Sequence, residues 1–176
     1  FFQDLTERLA RTHRVIAPTF RAHPGSPRGT APLSIETLGE DVAELCEKLD
    51  LRGVIALGWS MGAMALWAAA ARLGERLKAL IVEDMGPKLV NDDSWADGLA
   101  GGYTAKDIIA TLAEIEADWP AYVARFAPRM FAPHLRERRP ELLAWSSTEM
   151  SKADPAAMAA YWASMAAQDF RAALTH

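Results

Sequence analysis

A single cysteine, Cys46, stands among 176 residues. One thiol cannot form an internal disulfide, so a reducing compartment, and with it a cytoplasmic location, is the expectation. Cys46 falls in an apolar helical phase and reads as a small core residue. Long apolar runs are also missing. The richest, Gly62 to Ala71, is half the ~20 residues that a membrane-crossing helix needs, and no membrane partner is expected. Charge of one sign is scarce: 19 Lys and Arg against 23 Asp and Glu leave a net charge of −4. A phosphate backbone is bound by clustered cations, so no nucleic-acid partner is expected either. Histidine, cysteine and carboxylates fall at no metal-ligand spacing, and neither a metal nor a cofactor is implied. There is no internal repeat, and the alanine run 68–71 is simply good helix-forming sequence. The chain opens on Phe inside a helical pattern and stops at "RAALTH". It reads as a central piece with both ends truncated, so a missing signal peptide is uninformative.

What is present is organised. Residues 1–11 carry apolar positions at helical spacing. "HRVIAP", 13–18, is a short apolar run closed by proline, as in a buried strand. Residues 19–33 hold three prolines and two glycines and read as loop. Ser34 then looks like an N-cap for an amphipathic helix carrying Ile35, Leu38, Val42, Leu45 and Leu49. "GVIALG", 53–58, is a second strand, "MGAMALWAAAARLG" a buried helix, and 77–83 a third strand. Strands alternating with helices predict an α/β fold with a parallel sheet. Beyond Pro87 only helical patterns remain, over 104–117, 120–131, 134–150 and 155–173. The expected division is a core segment, 1–86, and a helical cap, 87–176.

The centre of the chain reads Gly58-Trp59-Ser60-Met61-Gly62. A strand turning sharply into a helix holds one side chain in a strained, exposed position above the sheet edge where α/β ligands bind. Residues two before and two after it are expected to crowd each other, which asks for glycine at 58 and 62. Ser60 is then the candidate nucleophile. The Met61 N–H, at the helix start, is the candidate oxyanion donor. Trp59 is the candidate pocket wall, with plain packing as the competing reading.

On these residues the chain resembles the α/β-hydrolase superfamily, in particular its small esterase and lactonase-like members. "HRVIAPTFRAHPGS" resembles the family's fourth strand and the loop after it, usually written Arg-Gly-His-Gly. "LGWSMGA" resembles its nucleophile turn, with the Gly-Trp-Ser core of the pimeloyl-ACP methyl ester esterases. "LKALIVEDMGP" resembles the sixth strand running into the cap. Ala22 and Pro24 depart from the family's glycines, and Ala63 replaces a third glycine found in many relatives. The resemblance implies three further strands before this segment and two after it. The serine's acid and histidine then lie beyond residue 176, and the second oxyanion donor before Phe1.

A serine needs a base and an orienting acid. His13, at the wrong end of its strand, His23, at the family's structural loop position, His134, beside three arginines, and His176, at the last position, are all weak candidates. Relatives such as the haloalkane dehalogenases place their acid after the sixth strand, where Glu83 and Asp84 stand; the competing reading is a capping or loop-fixing carboxylate. Trp95, Trp119, Trp145, Trp162 and several methionines line the helical segment as pocket wall or as ordinary helix packing. The basic stretch 134–141 reads as a solvated face. The function expected is hydrolysis of a small-molecule carboxylic ester, thioester or lactone through an acyl-enzyme. The alternatives are a C–C hydrolase, a haloperoxidase-like enzyme or a cofactor-free dioxygenase on the same fold, or a non-catalytic ligand-binding protein.

Overall fold

A computed structural model describes residues 2–175. The elements in chain order are α1 (Gln3–Leu9), α2 (Ile35–Lys48), β1 (Val54–Trp59), α3 (Met61–Leu73), β2 (Leu77–Glu83), α4 (Ala105–Ala117), α5 (Trp119–Phe126), α6 (Pro133–Arg138), α7 (Pro140–Ser151) and α8 (Pro155–Ala166), with short 3₁₀ turns between some of them. They fall into two compact units, Phe1–Gly29 with Asp118–Asp154, and Thr30–Ala117 with Pro155–His176.

The second unit holds the sheet. Ser34 caps α2 by accepting the Thr37 N–H at 3.2 Å, one of the first-turn amides that have no intrahelical acceptor. Ile35, Leu38, Ala43 and Cys46 are buried on one face of α2. That face meets α3, whose residues 63–67, with Ala69 and Leu73, are buried. A Cβ on Gly39 would come within 2.7 Å of Ala68 Cβ and 3.0 Å of backbone atoms of 68 and 69. Glycine therefore sets how closely the two helices approach. Around this contact Ala43, Cys46, Ala69 and Leu73 form a core, with Val42, Leu51, Val54 and Leu77 packed on it. Outside the core Arg72 grips Glu47 through two bonds of 2.8 and 2.6 Å.

β1 and β2 pair in parallel, with Leu57 opposite Ile81 and Trp59 opposite Glu83. A parallel pair needs a crossover between its strands, and α3 supplies it. Ala56 and Gly58 point into the covered face, while Ile55, Leu57 and Ile81 stand on the other. The expected α/β class holds on this unit. The strand expected at 13–18 does not form. Among the described residues only β1 and β2 pair in a sheet, and His13 instead closes the turn after α1 by donating its N–H to Leu9 O at 2.9 Å. An apolar run becomes a strand only when a neighbour satisfies its backbone, and among the described residues no strand pairs with it.

The helical boundaries follow local chemistry. Thr104 and Asp107 cap α4 reciprocally, Thr104 N–H to Asp107 Oδ2 at 2.8 Å and Asp107 N–H to Thr104 Oγ1 at 3.4 Å. Asp118 caps α5 by accepting the Ala121 N–H at 2.9 Å. The helix expected over 134–150 is split into α6 and α7, because Arg139 precedes Pro140 and takes φ −134°, ψ 56°. The helix expected to reach 173 ends at Ala166, and a 3₁₀ turn follows at Arg171–Thr175.

Candidate functional site

β1 delivers Trp59 to the C-terminal edge of the sheet, and α3 begins at Met61. Ser60, between them, has φ 52° and ψ −121°. A serine with positive φ is strained, and such strain persists only where its surroundings impose it. The Ser60 N–H donates to Glu83 O at 3.0 Å, and Ser60 O accepts from the Ala63 N–H at 2.9 Å. One bond continues the ladder with β2 and the other closes the first turn of α3. Together they fix the turn from both sides.

Gly58 is required at this corner. A Cβ there would lie 2.5 Å from Ala63 N and 2.6 Å from both Ala63 Cα and Gly62 C. The crowding is one-sided, however. A Cβ on Gly62 would meet nothing within 4 Å outside its own helix. The mutual crowding expected of 58 and 62 is thus corrected: the strand-side glycine is sterically demanded and the helix-side one is not.

Ser60 is half-buried, and among the described residues its Oγ has no hydrogen-bond partner; its side chain does not cap α3. The Met61 N–H is the first amide of α3, with no intrahelical acceptor. It sits at the positive end of a 13-residue helix that has no acidic residue in its first turn. A hydroxyl beside unpaired amides at a positive helix end is suited to acyl transfer.

The remaining candidates are placed as follows. Trp59 is half-buried at the end of β1, opposite Glu83. An open groove of about 470 Å³ lies elsewhere in this unit, between α4 and α8, and neither Trp59 nor Ser60 lines it. Glu83 and Asp84 are exposed at the end of β2. The turn there is made by backbone, through Glu83 O and the left-handed Asp84 with φ 51°, rather than by either carboxylate.

His13, His23 and His134 belong to the first unit, and Ser60 to the second. His13 is exposed, with Nδ1 2.8 Å from Thr12 Oγ1. His23 holds its own loop, with Nδ1 3.1 Å from Arg21 O and its ring edge-on to Phe20 at 6.2 Å. Ala22 beside it has φ 58°, so alanine here carries a conformation that glycine takes without strain. His134 is exposed at the start of α6, and His176 lies outside the described residues. Two of the tryptophans considered as pocket wall spend their indole N–H on structure: Trp162 on Tyr103 Oη at 3.2 Å and Trp95 on Lys88 O at 3.0 Å. Trp119 stacks on Tyr122, and Tyr122 on Phe126, both at 5.7 Å. The basic stretch 134–141 is exposed. Among the described residues no group of three His, Cys, Asp or Glu could hold a metal ion, and no helix is long and apolar enough to cross a membrane.

The sequence profile of the alpha/beta hydrolase family matches residues 1–176. The chain belongs to this family. A curated relative, the non-heme chloroperoxidase of Streptomyces lividans, is 38% identical over 93 residues, covering 52% of this chain and 34% of that one. Among solved alpha/beta structures, an esterase from Exiguobacterium antarcticum superposes with a TM-score of 0.84 at 20% identity, over 98% of this chain and 63% of its own. A thermophilic esterase from Thermogutta terrifontis gives 0.80 at 23% identity, over 98% and 61%. A bromoperoxidase from Bacillus anthracis gives 0.77 at 19% identity, over 88% and 56%. At these identities the structural likeness shows the alpha/beta hydrolase fold alone. The chain spans about a third of the curated relative and about three fifths of the two esterases.

Proposed function

We propose that the protein is a serine hydrolase acting on a carboxylic ester, thioester or lactone, with Ser60 as its nucleophile. The observation that carries this reading is the strained Ser60, with φ 52° and ψ −121°, at the start of α3. Ser60 Oγ attacks the acyl carbon as its proton passes to a base. The Met61 N–H donates a hydrogen bond to the carbonyl oxygen as negative charge develops on it. Collapse expels the alcohol, thiol or ring oxygen, which takes up the proton, and leaves an acyl-serine that water then hydrolyses. Trp59 flanks the acyl group. Because Ser60 Oγ has no hydrogen-bond partner among the described residues, the reading requires a base from outside them, held by an acid of its own. Glu83 and Asp84, exposed at the end of β2, are this chain's own candidates for that acid; otherwise the acid comes, like the base, from outside the described residues.

The test uses the intact protein, a panel of p-nitrophenyl esters and a fluorophosphonate probe. Ser60→Ala is expected to abolish both turnover and labelling. Labelling that persists in Ser60→Ala would overturn the assignment. The identity to a chloroperoxidase favours a second reading, halide-dependent oxidation by the same turn. Turnover that needs halide and peroxide, with no ester hydrolysis, would select it.

A further inference from the structure

Two stretches distant in sequence, 87–95 beyond β2 and 169–171 beyond α8, are tied together in the unit that holds Ser60. The Phe170 N–H donates to Pro87 O at 2.8 Å. Arg171 grips Asp169 with Nε at 2.9 Å and Nη2 at 2.6 Å. The same guanidinium donates to Ser94 O at 2.9 Å and Ser94 Oγ at 3.2 Å, and lies 5.5 Å over the Trp95 ring. Lys88, its side chain only 13% exposed, pairs with Asp92 and stands 3.5 Å from Asp169. An isolated exposed ion pair contributes little. Here four alternating charges, Asp92, Lys88, Asp169 and Arg171, share a largely covered lysine and a forked arginine that fixes its partner in one plane.

This clasp belongs to a closed mechanical path. The Phe170 ring packs on Trp67 at 5.7 Å, and Trp67 lies two turns along α3 from Ser60. Pro87 leads back to the end of β2, where Glu83 O holds the Ser60 N–H. The path runs from Ser60 along α3 to Trp67, across to Phe170 and Pro87, and back through β2 to Ser60.

We propose that Arg171 is a positioning residue for Ser60, acting with Asp169 and Lys88 to clamp the segment after β2 against the helix that carries the turn. The assignment rests on the reading of Ser60 as nucleophile. In this assignment Arg171 acts on Ser60 only through the path above.

The experiment compares the intact protein with its Arg171→Ala, Arg171→Lys and Asp169→Asn variants. In Arg171→Ala, kcat on a p-nitrophenyl ester and the rate of fluorophosphonate labelling are expected to fall together by about 10- to 100-fold, the scale of a small misplacement of the attacking atom. KM stays within about twofold, because ground-state binding is untouched. Trypsin cleavage after Lys88 accelerates, since the clasp no longer covers that side chain. Arg171→Lys, which keeps the charge but not the fork, recovers part of the lost rate. If Arg171→Ala fails to fold, Asp169→Asn keeps the volume and reads the same quantities. A folded Arg171→Ala with wild-type kcat and labelling overturns the proposal and leaves the clasp a structural staple. Absence of Ser60-dependent labelling in the wild type overturns the nucleophile reading itself, which is a different result from labelling that ignores Arg171.

Discussion

Replacing Gly58 by alanine adds one carbon at the tightest point of the turn. That carbon would sit 2.5 Å from Ala63 N and 2.6 Å from Ala63 Cα and Gly62 C, where ordinary contact begins at 3.4 Å. The first turn of α3 would have to retreat by about 0.9 Å. All three atoms are backbone, so no side-chain rotation relieves the clash. Overpacking of this kind costs about 1–3 kcal/mol. The upper end is expected, because α3 is buried at residues 63–67 directly behind the clash and its retreat disturbs the core. Gly62→Ala is the matched control. It enters open space in a helix, where alanine is favoured over glycine by about 0.8–1 kcal/mol. Urea unfolding followed by circular dichroism measures both. Gly58→Ala is expected to lose about 3 kcal/mol with an unchanged denaturant slope, and Gly62→Ala to lose nothing or gain up to about 1 kcal/mol. A Gly58→Ala protein within about 0.5 kcal/mol of wild type, the usual range for a bland surface change, would refute the steric argument. So would a reversed order of the two variants.

Four further outcomes can be measured. Ser60→Gly should be more stable than Ser60→Ala by about 1 kcal/mol in the same urea assay, because glycine alone takes the positive φ without strain. Ala22→Gly should be neutral or stabilising for the corresponding reason, and a clear loss would show that its methyl group packs. Gly39→Ala should cost about 1–3 kcal/mol by forcing α2 off Ala68, seen as a lowered thermal midpoint. Hydrogen bonds from Lys88, then from Ser94, hold the Asp92 carboxyl well below the usual carboxylate range, and Arg171 does the same for Asp169. As pH falls through about 4, the unfolded chain takes up these protons first. Their stabilisation is therefore complete above that pH and lost progressively below it. Asp169→Asn should flatten the fall of the thermal midpoint on acidification, and an identical profile would show that Asp169 does not contribute.

Much of the sheet-bearing unit was legible in the sequence. Ser34 and its apolar phase placed α2, and "GVIALG", the buried helix and "LKALIVE" placed the strand, helix and strand around Ser60, because each has a period and a punctuation of its own. The segment 13–18 pairs with no strand among the described residues, because periodicity reports a side chain's preference for burial, not whether a backbone neighbour is present. The break at Arg139 could have been read from Pro140, whose ring excludes helical geometry at the residue before it. The two glycines of the turn looked equivalent in sequence, yet only three-dimensional crowding separates Gly58 from Gly62. The clasp had a partial signature, Lys88 and Asp92 four residues apart. Its other half, Asp169 and Arg171, lies far along the chain, and no local pattern joins them.

The sheet face opposite α3 has a practical consequence. Ile55, Leu57 and Ile81 are 51, 36 and 47% exposed there, side by side on paired strands whose register sets Leu57 against Ile81. Three aliphatic side chains on paired strands form a greasy patch rather than scattered surface residues. In dilute solution a hydrophobic dye such as ANS should light up on it. For the 176 residues taken alone, the patch is where one molecule would adhere to the next at high concentration, so their solutions should cloud on concentration and clear with mild detergent.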